Sequence, residues 1–249
     1  MSEALYDTIG KGYAELRRPD PRINAQILRA LTGADSVLNV GAGTGSYEPR
    51  DRRVVAVERS IEMIGQRAAD LAPAVQGDAT SLPFADGSFD AALAVLTIHH
   101  WPDPRAGLLE LKRVARSRVV ILTHFINSLD EFWLVRDYIP ETIPSDLVRF
   151  ATEEEIRELL DVIEIQAVAV PNDCTDGFLA CYWARPEFYL DERVRSGMSI
   201  FPRLDQSLVQ ERMGRLAEDL ESGAWDERYG NLRTMPEIDL GYRLVIAVT

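Results

Sequence analysis

From residue 36 onward the apolar residues come in short unbroken runs: SVLNVG (36–41), VVAVE (54–58), FDAALAVL (89–96) and RVVILT (118–123). Runs that are apolar on both faces suit strands buried in a parallel sheet. Between them the apolar spacing lengthens to a helical period. It predicts helices over 60–71, over 104–114 behind the candidate N-cap Asp103, and over 152–160, where Thr152 and Glu155 form a capping box. Ahead of the first run, 6–18 reads as a helix that RPDP (18–21) breaks, because each proline turns the residue before it away from helical geometry. A new helix begins there, with Asp20 as N-cap, Pro21 in its first turn, an apolar stripe of Ile23, Ile27, Leu28 and Leu31, and Gly33 at its end. Further strands are predicted at 162–170 and 242–248. Strands alternating with helices predict an α/β fold with a doubly wound, mostly parallel sheet.

Residues 171–241 separate the last two strands, too long a stretch for a hairpin connection, and carry their own helix with Val209, Met213, Leu216 and Leu220 on one face. The expected organisation is therefore an N-terminal helical cap (1–35), a core (36–170), an inserted lid or substrate subdomain (171–241) and a last core strand (242–249). With 249 residues, 46% of them apolar, the chain can bury a sizeable core, which excludes a disordered or stapled miniature class. Its 27 basic against 40 acidic residues leave a net charge of −13, which disfavours nucleic acid as a partner. The N-terminus has no basic segment followed by an apolar one, and no apolar run approaches the ~18 residues that span a bilayer. A cytoplasmic protein without a membrane partner is expected, with Cys174 and Cys181 as free thiols. Its oligomeric state is not legible.

Candidate chemistry starts at VLNVGAGTGSYE (37–48), where a predicted strand runs into Gly41, Gly43 and Gly45. Glycines there let a ligand approach bare backbone N–H groups at the edge where open parallel sheets bind ligands. The alternative is a tight turn without a ligand. The dinucleotide fingerprint G-x-G-x-x-G needs a glycine at position 46, where this chain has Ser46, so the spacing argues against a nicotinamide or flavin nucleotide. Glu58 closes the next strand, where a carboxylate can accept hydrogen bonds from both hydroxyls of a ribose; alone it reads first as a solvated strand end, and the glycine turn beside it reverses that preference. Removing it is expected to weaken cofactor binding and leave the fold intact.

With QGDATSLPFADGSFD (76–90) added, the chain resembles the class I S-adenosylmethionine-dependent methyltransferases, in their small-molecule branch. That family's signature runs VLDVGxGTG, an acidic strand end, then GDAxxLPFxDxSFD. The resemblance is close over 36–120 and looser beyond. It implies a Rossmann-like, seven-stranded sheet with a helical lid inserted before the last strand, and S-adenosyl-L-methionine as cofactor. By the same resemblance Gly41, Ala42, Gly43 and Gly45 would line the methionine part of the cofactor, and Glu58 would hold the ribose. Asp78 would meet the adenine amino group beside Ala79, and Arg59 and Met63 would border the adenosine pocket. Leu96 and Thr97 would approach from the fourth strand, with Tyr13 and Arg18 covering the site. Two departures stand out: Asn39 replaces the family's aspartate, which implies weaker binding, and only Ser46–Arg53, with Pro49 among them, separate the glycine turn from the next strand. A helix there must be short or distorted.

His99, His100 and His124, the entire histidine complement, fall just beyond the ends of two predicted strands. They read either as catalytic or as packing residues. His100 and His124 are the candidate catalytic pair, since an imidazole near its ordinary pKa suits proton removal at neutral pH, and His99 is the structural member. No metal is expected, because these histidines with Asp103 or Asp173 show no established ligand spacing. Phe132, Trp133, Tyr138, Phe178, Tyr182, Trp183, Phe188 and Tyr189 either wall an apolar pocket or form core. The expected function is methyl transfer to a small hydrophobic or aromatic molecule by in-line displacement. The alternatives are a cofactor-binding cyclase or isomerase of the same fold, a nicotinamide oxidoreductase, and a non-catalytic regulatory module.

Overall fold

A computed structural model describes residues 13–125, 131–143 and 150–249. Seven strands form one sheet: β1 (Ser36–Val40), β2 (Arg53–Glu58), β3 (Ala74–Gln76), β4 (Phe89–Val95), β5 (Ala115–His124), β6 (Asp161–Ala167) and, counted after two short outlying strands, β9 (Tyr242–Val248). Their spatial order is β3-β2-β1-β4-β5-β9-β6. Neighbours from β3 to β5 pair in parallel, whereas β9 runs antiparallel to both β5 and β6. The strand order reverses between β1 and β4, which opens a crevice beyond their C-terminal ends.

Helix α1 (Tyr13–Leu16) is the described part of the N-terminal helix; residues 6–12 of that expectation lie outside the described residues. Helix α2 (Pro21–Ala30) forms as its sequence dictates: the Asp20 carboxylate accepts from the Arg22 N–H, Pro21 occupies the first turn, and Ile23, Ile27 and Ala30 are buried. After the glycine turn no helix forms; residues 41–52 are turns and bends. Pro49 and the short span explain this, and the segment is held by side chains instead, with Arg52 Nη1 donating to the carbonyls of Leu31 and Ala34 at 2.5 and 3.1 Å. The doubly wound expectation therefore lacks its first crossover helix. The helix predicted over 60–71 shortens to α3 (Ile61–Gly65), after which the Arg67 guanidinium bonds the Ala72 carbonyl and Glu48. Helices α4 (Pro104–Val114) and α6 (Glu153–Leu159) carry the predicted caps, Asp103 and the Thr152–Glu155 box; α5 (Trp133–Asp137) lies between them.

One face of the sheet packs Leu38, Val57, Ala92, Val119 and Ile121 against Leu108 and Leu111 of α4 and Ile156 of α6. The other packs Leu93, Val120 and Leu122 against Ile23 and Ile27 of α2, continuous with Trp183, Tyr189, Met213, Leu216 and Trp225 of the insertion. At its neck β7 (Val170–Pro171) pairs antiparallel with β8 (Glu237–Ile238), so the strand predicted over 162–170 is two strands in different sheets. The insertion adds helices α7 (Glu192–Ser196), α8 (Gln206–Glu221) and α9 (Ala224–Tyr229). Most of its aromatics are core: Trp183 Nε1 donates to the Val170 carbonyl at 3.0 Å, and the Tyr189 hydroxyl to Leu179 at 2.6 Å. Phe188, 44% exposed, stacks on Tyr182 outside the core. Cys174 and Cys181 are free, buried thiols. No helix among the described residues is long and apolar enough to cross a membrane.

Candidate active site

A cavity of about 1030 Å³, counting space open to solvent, lies beyond the C-terminal ends of β1, β2 and β4. It gathers most of the residues singled out above. Tyr13, Asn39, Gly41, Ala42, Gly43, Glu58, Arg59, Met63, Asp78, Ala79, Leu96 and Thr97 all line it. Gly45 and Arg18 do not; they line a shallower groove behind the turn, where Arg18 is exposed. Arg17 takes the place expected of Arg18. One helical turn puts it on the same face as Tyr13, whose hydroxyl accepts from Arg17 Nη1, and that four-residue spacing was the available signal.

The turn is built to stay open. Gly41 sits at φ +67°, and a Cβ there would overlap the Thr97 hydroxyl. Glu58, 8% exposed, grips the turn from the end of β2: one carboxylate oxygen accepts from the Gly43 N–H at 2.8 Å and the other from the Ser60 N–H at 2.9 Å. Each oxygen retains a lone pair for a ligand hydroxyl. Asp78 is fixed by the Thr80 N–H and hydroxyl at 2.9 and 2.8 Å, with Arg59 Nε 3.8 Å from its other oxygen.

The replacement at position 39 has a local cause. Asn39 Nδ2 donates to Glu48 at 3.2 Å, and Glu48 is buried, ion-paired with Arg67 at 2.7 Å and accepting the Ala72 N–H at 3.0 Å. An aspartate at position 39 would replace the donated hydrogen bond with a second carboxylate set against Glu48, a like-charge contact in a buried place. Asn39→Asp is expected to destabilise the chain by about 1–3 kcal/mol at neutral pH, the cost of spoiling a buried pair, and to recover stability as pH falls toward 5. Thermal melts across pH check this; a variant as stable as the parent at pH 8 refutes it.

A second cavity, about 770 Å³ with its open space, adjoins the first and shares Arg17, Leu96 and His100 with it. Phe132, Phe150, Phe178, Leu179, Met198, Ile200 and Tyr242 make most of its wall apolar, with Arg17, Arg203 and the three histidines among its polar members. Of the aromatics considered above, only Phe132 and Phe178 line it; the others are core or surface. At the junction Leu96 holds φ +51°, an unusual conformation for a branched side chain that turns the backbone at the end of β4. His99 stacks on Phe150 with ring centres 4.4 Å apart and touches His100. The His124 Nε2 donates to the Leu240 carbonyl at 2.8 Å, which fixes the tautomer and leaves the lone pair on Nδ1. Burial pushes its pKa down to about 4, with the Leu240 hydrogen bond and Asp239 opposing and Arg243 adding to the shift. No group of three or more metal-ligating side chains is arranged around a common point among the described residues.

Residues 38–123 match a methyltransferase-domain family. A crystal structure from Anabaena variabilis, provisionally assigned as a methyltransferase of an antibiotic biosynthesis pathway, is 32% identical with a TM-score of 0.86, over 94% of this chain and 99% of that one. This full-length likeness settles the family. The chain belongs to the class I S-adenosylmethionine-dependent methyltransferase family. A demethylmenaquinone methyltransferase of Mycolicibacterium vanbaalenii is 34% identical over 122 residues, 46% of this chain and 54% of that protein. The chain thus spans about half the length of the curated relatives it matches. The geranyl diphosphate C-methyltransferase of Streptomyces coelicolor, solved with S-adenosyl-L-homocysteine, shares the fold at 14% identity and a TM-score of 0.53 over 91% of this chain and 79% of that one. The cofactor that membership of this family implies is S-adenosyl-L-methionine. The first cavity fits it: a turn where even a Cβ has no room, two fixed carboxylates at neighbouring strand ends, and Met63 and Ala79 as apolar walls.

Proposed function

We propose that this methyltransferase acts on a small, apolar, aromatic acceptor bound in the second cavity. The observation that carries the reading is the shared wall: an aromatic-lined cavity meets the cofactor cavity at Leu96 and His100, where an acceptor atom and a bound methyl donor would face each other. In the first cavity Gly41, Ala42 and Gly43 would line the methionine part and Glu58 would take the ribose hydroxyls. Asp78 would meet the adenine amino group beside Ala79, Arg59 and Met63, and Tyr13 with Arg17 would cover the opening. A quinone-type acceptor, as named for the curated relatives, belongs to the proposed class. The residues that would choose the acceptor, from Phe132 to Tyr242, lie beyond the matched family segment.

The cofactor supplies a methyl group already activated on a sulfonium, so the protein's task is chiefly placement. Alignment of two reactants is worth about 7–11 kcal/mol, against roughly 10²–10⁴-fold for a general base where the acceptor must lose a proton. Phe132, Phe150 and Phe178 would hold the acceptor's plane and exclude water. His100, on the boundary, would receive the acceptor's proton, and the neutral His124 would orient the acceptor through Nδ1. The insertion (171–241) would act as the acceptor lid and residues 1–35 as the cofactor cap. Incubation of labelled S-adenosyl-L-methionine with a panel of naphthols, quinols and aliphatic alcohols tests the reading: label should pass to the aromatic compounds. Transfer confined to polar or aliphatic acceptors refutes it.

The insertion's role gives a narrower test. Phe178→Leu keeps an apolar wall but removes the ring, and is expected to raise acceptor KM by about 2–10-fold, the worth of an aromatic contact, while cofactor Kd stays put. Equal losses for both ligands would deny residue 178 a part in acceptor choice.

A further inference from the structure

Asp176 lines neither cavity, yet its partners and neighbours line both. Its carboxylate is 0% exposed. One oxygen accepts from Arg17 Nε at 2.5 Å and the Gly177 N–H at 2.6 Å, and the other from Arg17 Nη2 at 3.2 Å and the Tyr47 hydroxyl at 2.9 Å. These donors come from the N-terminal cap, the glycine turn and the insertion. Arg17 and Tyr47 wall the cofactor cavity, and Arg17 also walls the second one. On the other side of Asp176, Phe178, Leu179 and Ala180 wall the second cavity.

We propose that Asp176 is a positioning residue that makes the two cavities one unit, so that filling the cofactor cavity tightens the acceptor cavity and the reverse. The identification of the second cavity as the acceptor's rests on the function proposed above. A buried carboxylate is stable only with its acceptor sites filled, and here no single segment fills them. The bidentate grip fixes the plane of the Arg17 guanidinium, which a single point contact would not do. Close packing adds to the constraint: a Cβ at Gly177 would overlap the Leu16 carbonyl, so the insertion lies directly on the end of α1. Ser46 donates to the Arg17 carbonyl at 3.0 Å, a second tie between cap and glycine turn. A ligand that orders Arg17 and Tyr47 from the cofactor side therefore orders the 176–180 segment as well, and by linkage the effect is reciprocal.

The test uses the whole chain, S-adenosyl-L-homocysteine for the first cavity and 2-naphthol for the second, each titrated by calorimetry with and without the other. The parent is expected to bind each ligand about 5-fold or more tightly when the other is present. In Asp176→Asn that coupling should fall to within 2-fold of none and S-adenosyl-L-homocysteine affinity should drop about tenfold. The double variant with Arg17→Gln should be no worse than either single one. A purely structural role would lower the melting temperature and leave the coupling intact. Coupling that survives in Asp176→Asn, or is absent in the parent, overturns the proposal. If Asp176→Asn does not fold, Tyr47→Phe, which removes one donor, must reduce the coupling; unchanged coupling there overturns it too. If 2-naphthol fails to bind the parent, the acceptor assignment falls, and the positioning role is decided on S-adenosyl-L-homocysteine affinity alone: a loss in Asp176→Asn and Tyr47→Phe supports it and none overturns it.

Discussion

Glu58→Ala is expected to weaken cofactor binding by about 100-fold or more and to lower the melting temperature by several degrees. The carboxylate does two jobs: it holds the Gly43 and Ser60 N–H groups, and it presents remaining lone pairs where the ribose hydroxyls would lie. Each charge-assisted bond lost costs about 1.5–3 kcal/mol, so losing the contacts that shape the turn along with those to the ligand exceeds ~3 kcal/mol, over 100-fold in affinity. The expectation that the fold would be untouched is therefore revised, because Glu58 is 8% exposed and braces the turn instead of sitting free in solvent. Glu58→Gln separates the two jobs. Its amide oxygen can still accept one N–H, but its NH₂ faces the other donor, so both losses should be intermediate. Calorimetry with S-adenosyl-L-homocysteine, paired with thermal melts, checks this. Parent-like affinity in the alanine variant would remove Glu58 from the site.

The sheet was legible because its strands are buried on both faces and read as plain apolar runs; β1, β2, β4 and β5 stand where those runs fall. Helices fell short where side chains tie the backbone to neighbouring segments instead. Nothing in the period of 60–71 announces that Arg67 spends its guanidinium on Glu48, Gly43 and Ala72, and Glu48 itself carried no signal until Asn39 was seen beside it. The first cavity was legible because glycines and strand-end carboxylates stand close in sequence to the strands that place them. Arg18 opens the RPDP break and was the residue expected over the first cavity, whereas the four-residue step from Tyr13 points to Arg17, which lines it. The second cavity was the least legible part. Its walls come from Leu96, Phe132, Phe150, Phe178, Met198 and Tyr242, brought together only by the way the insertion folds back over the sheet. An aromatic that walls a cavity and one that fills a core look alike in a sequence.

His100→Ala is expected to lower kcat by about 10²-fold or more with cofactor affinity within a few fold, because His100 stands on the boundary of both cavities and, as the proposed proton acceptor, would act only where the two ligands meet. His124 must be read differently from the sequence. A base with an ordinary imidazole pKa would give an acidic limb near pH 6.5, but burial has moved His124 to about 4. Its neutral form, with Nε2–H on Leu240, is therefore complete at physiological pH, and its own limb in the rate profile belongs near pH 4. Stability follows the same sign. Between pH 6.5 and 4 the unfolded chain binds a proton at this residue that the folded chain refuses, so its contribution is full above pH 6.5 and is lost as pH falls through that window. The gap is worth about 3 kcal/mol at most. His124→Gln, which can still donate to the Leu240 carbonyl without titrating, should flatten the fall in stability between pH 6.5 and 4 and lower kcat less than His100→Ala does. Parent-like kcat in both variants would mean that placement alone carries methyl transfer, and an unchanged pH–stability slope in His124→Gln would mean that other groups set it.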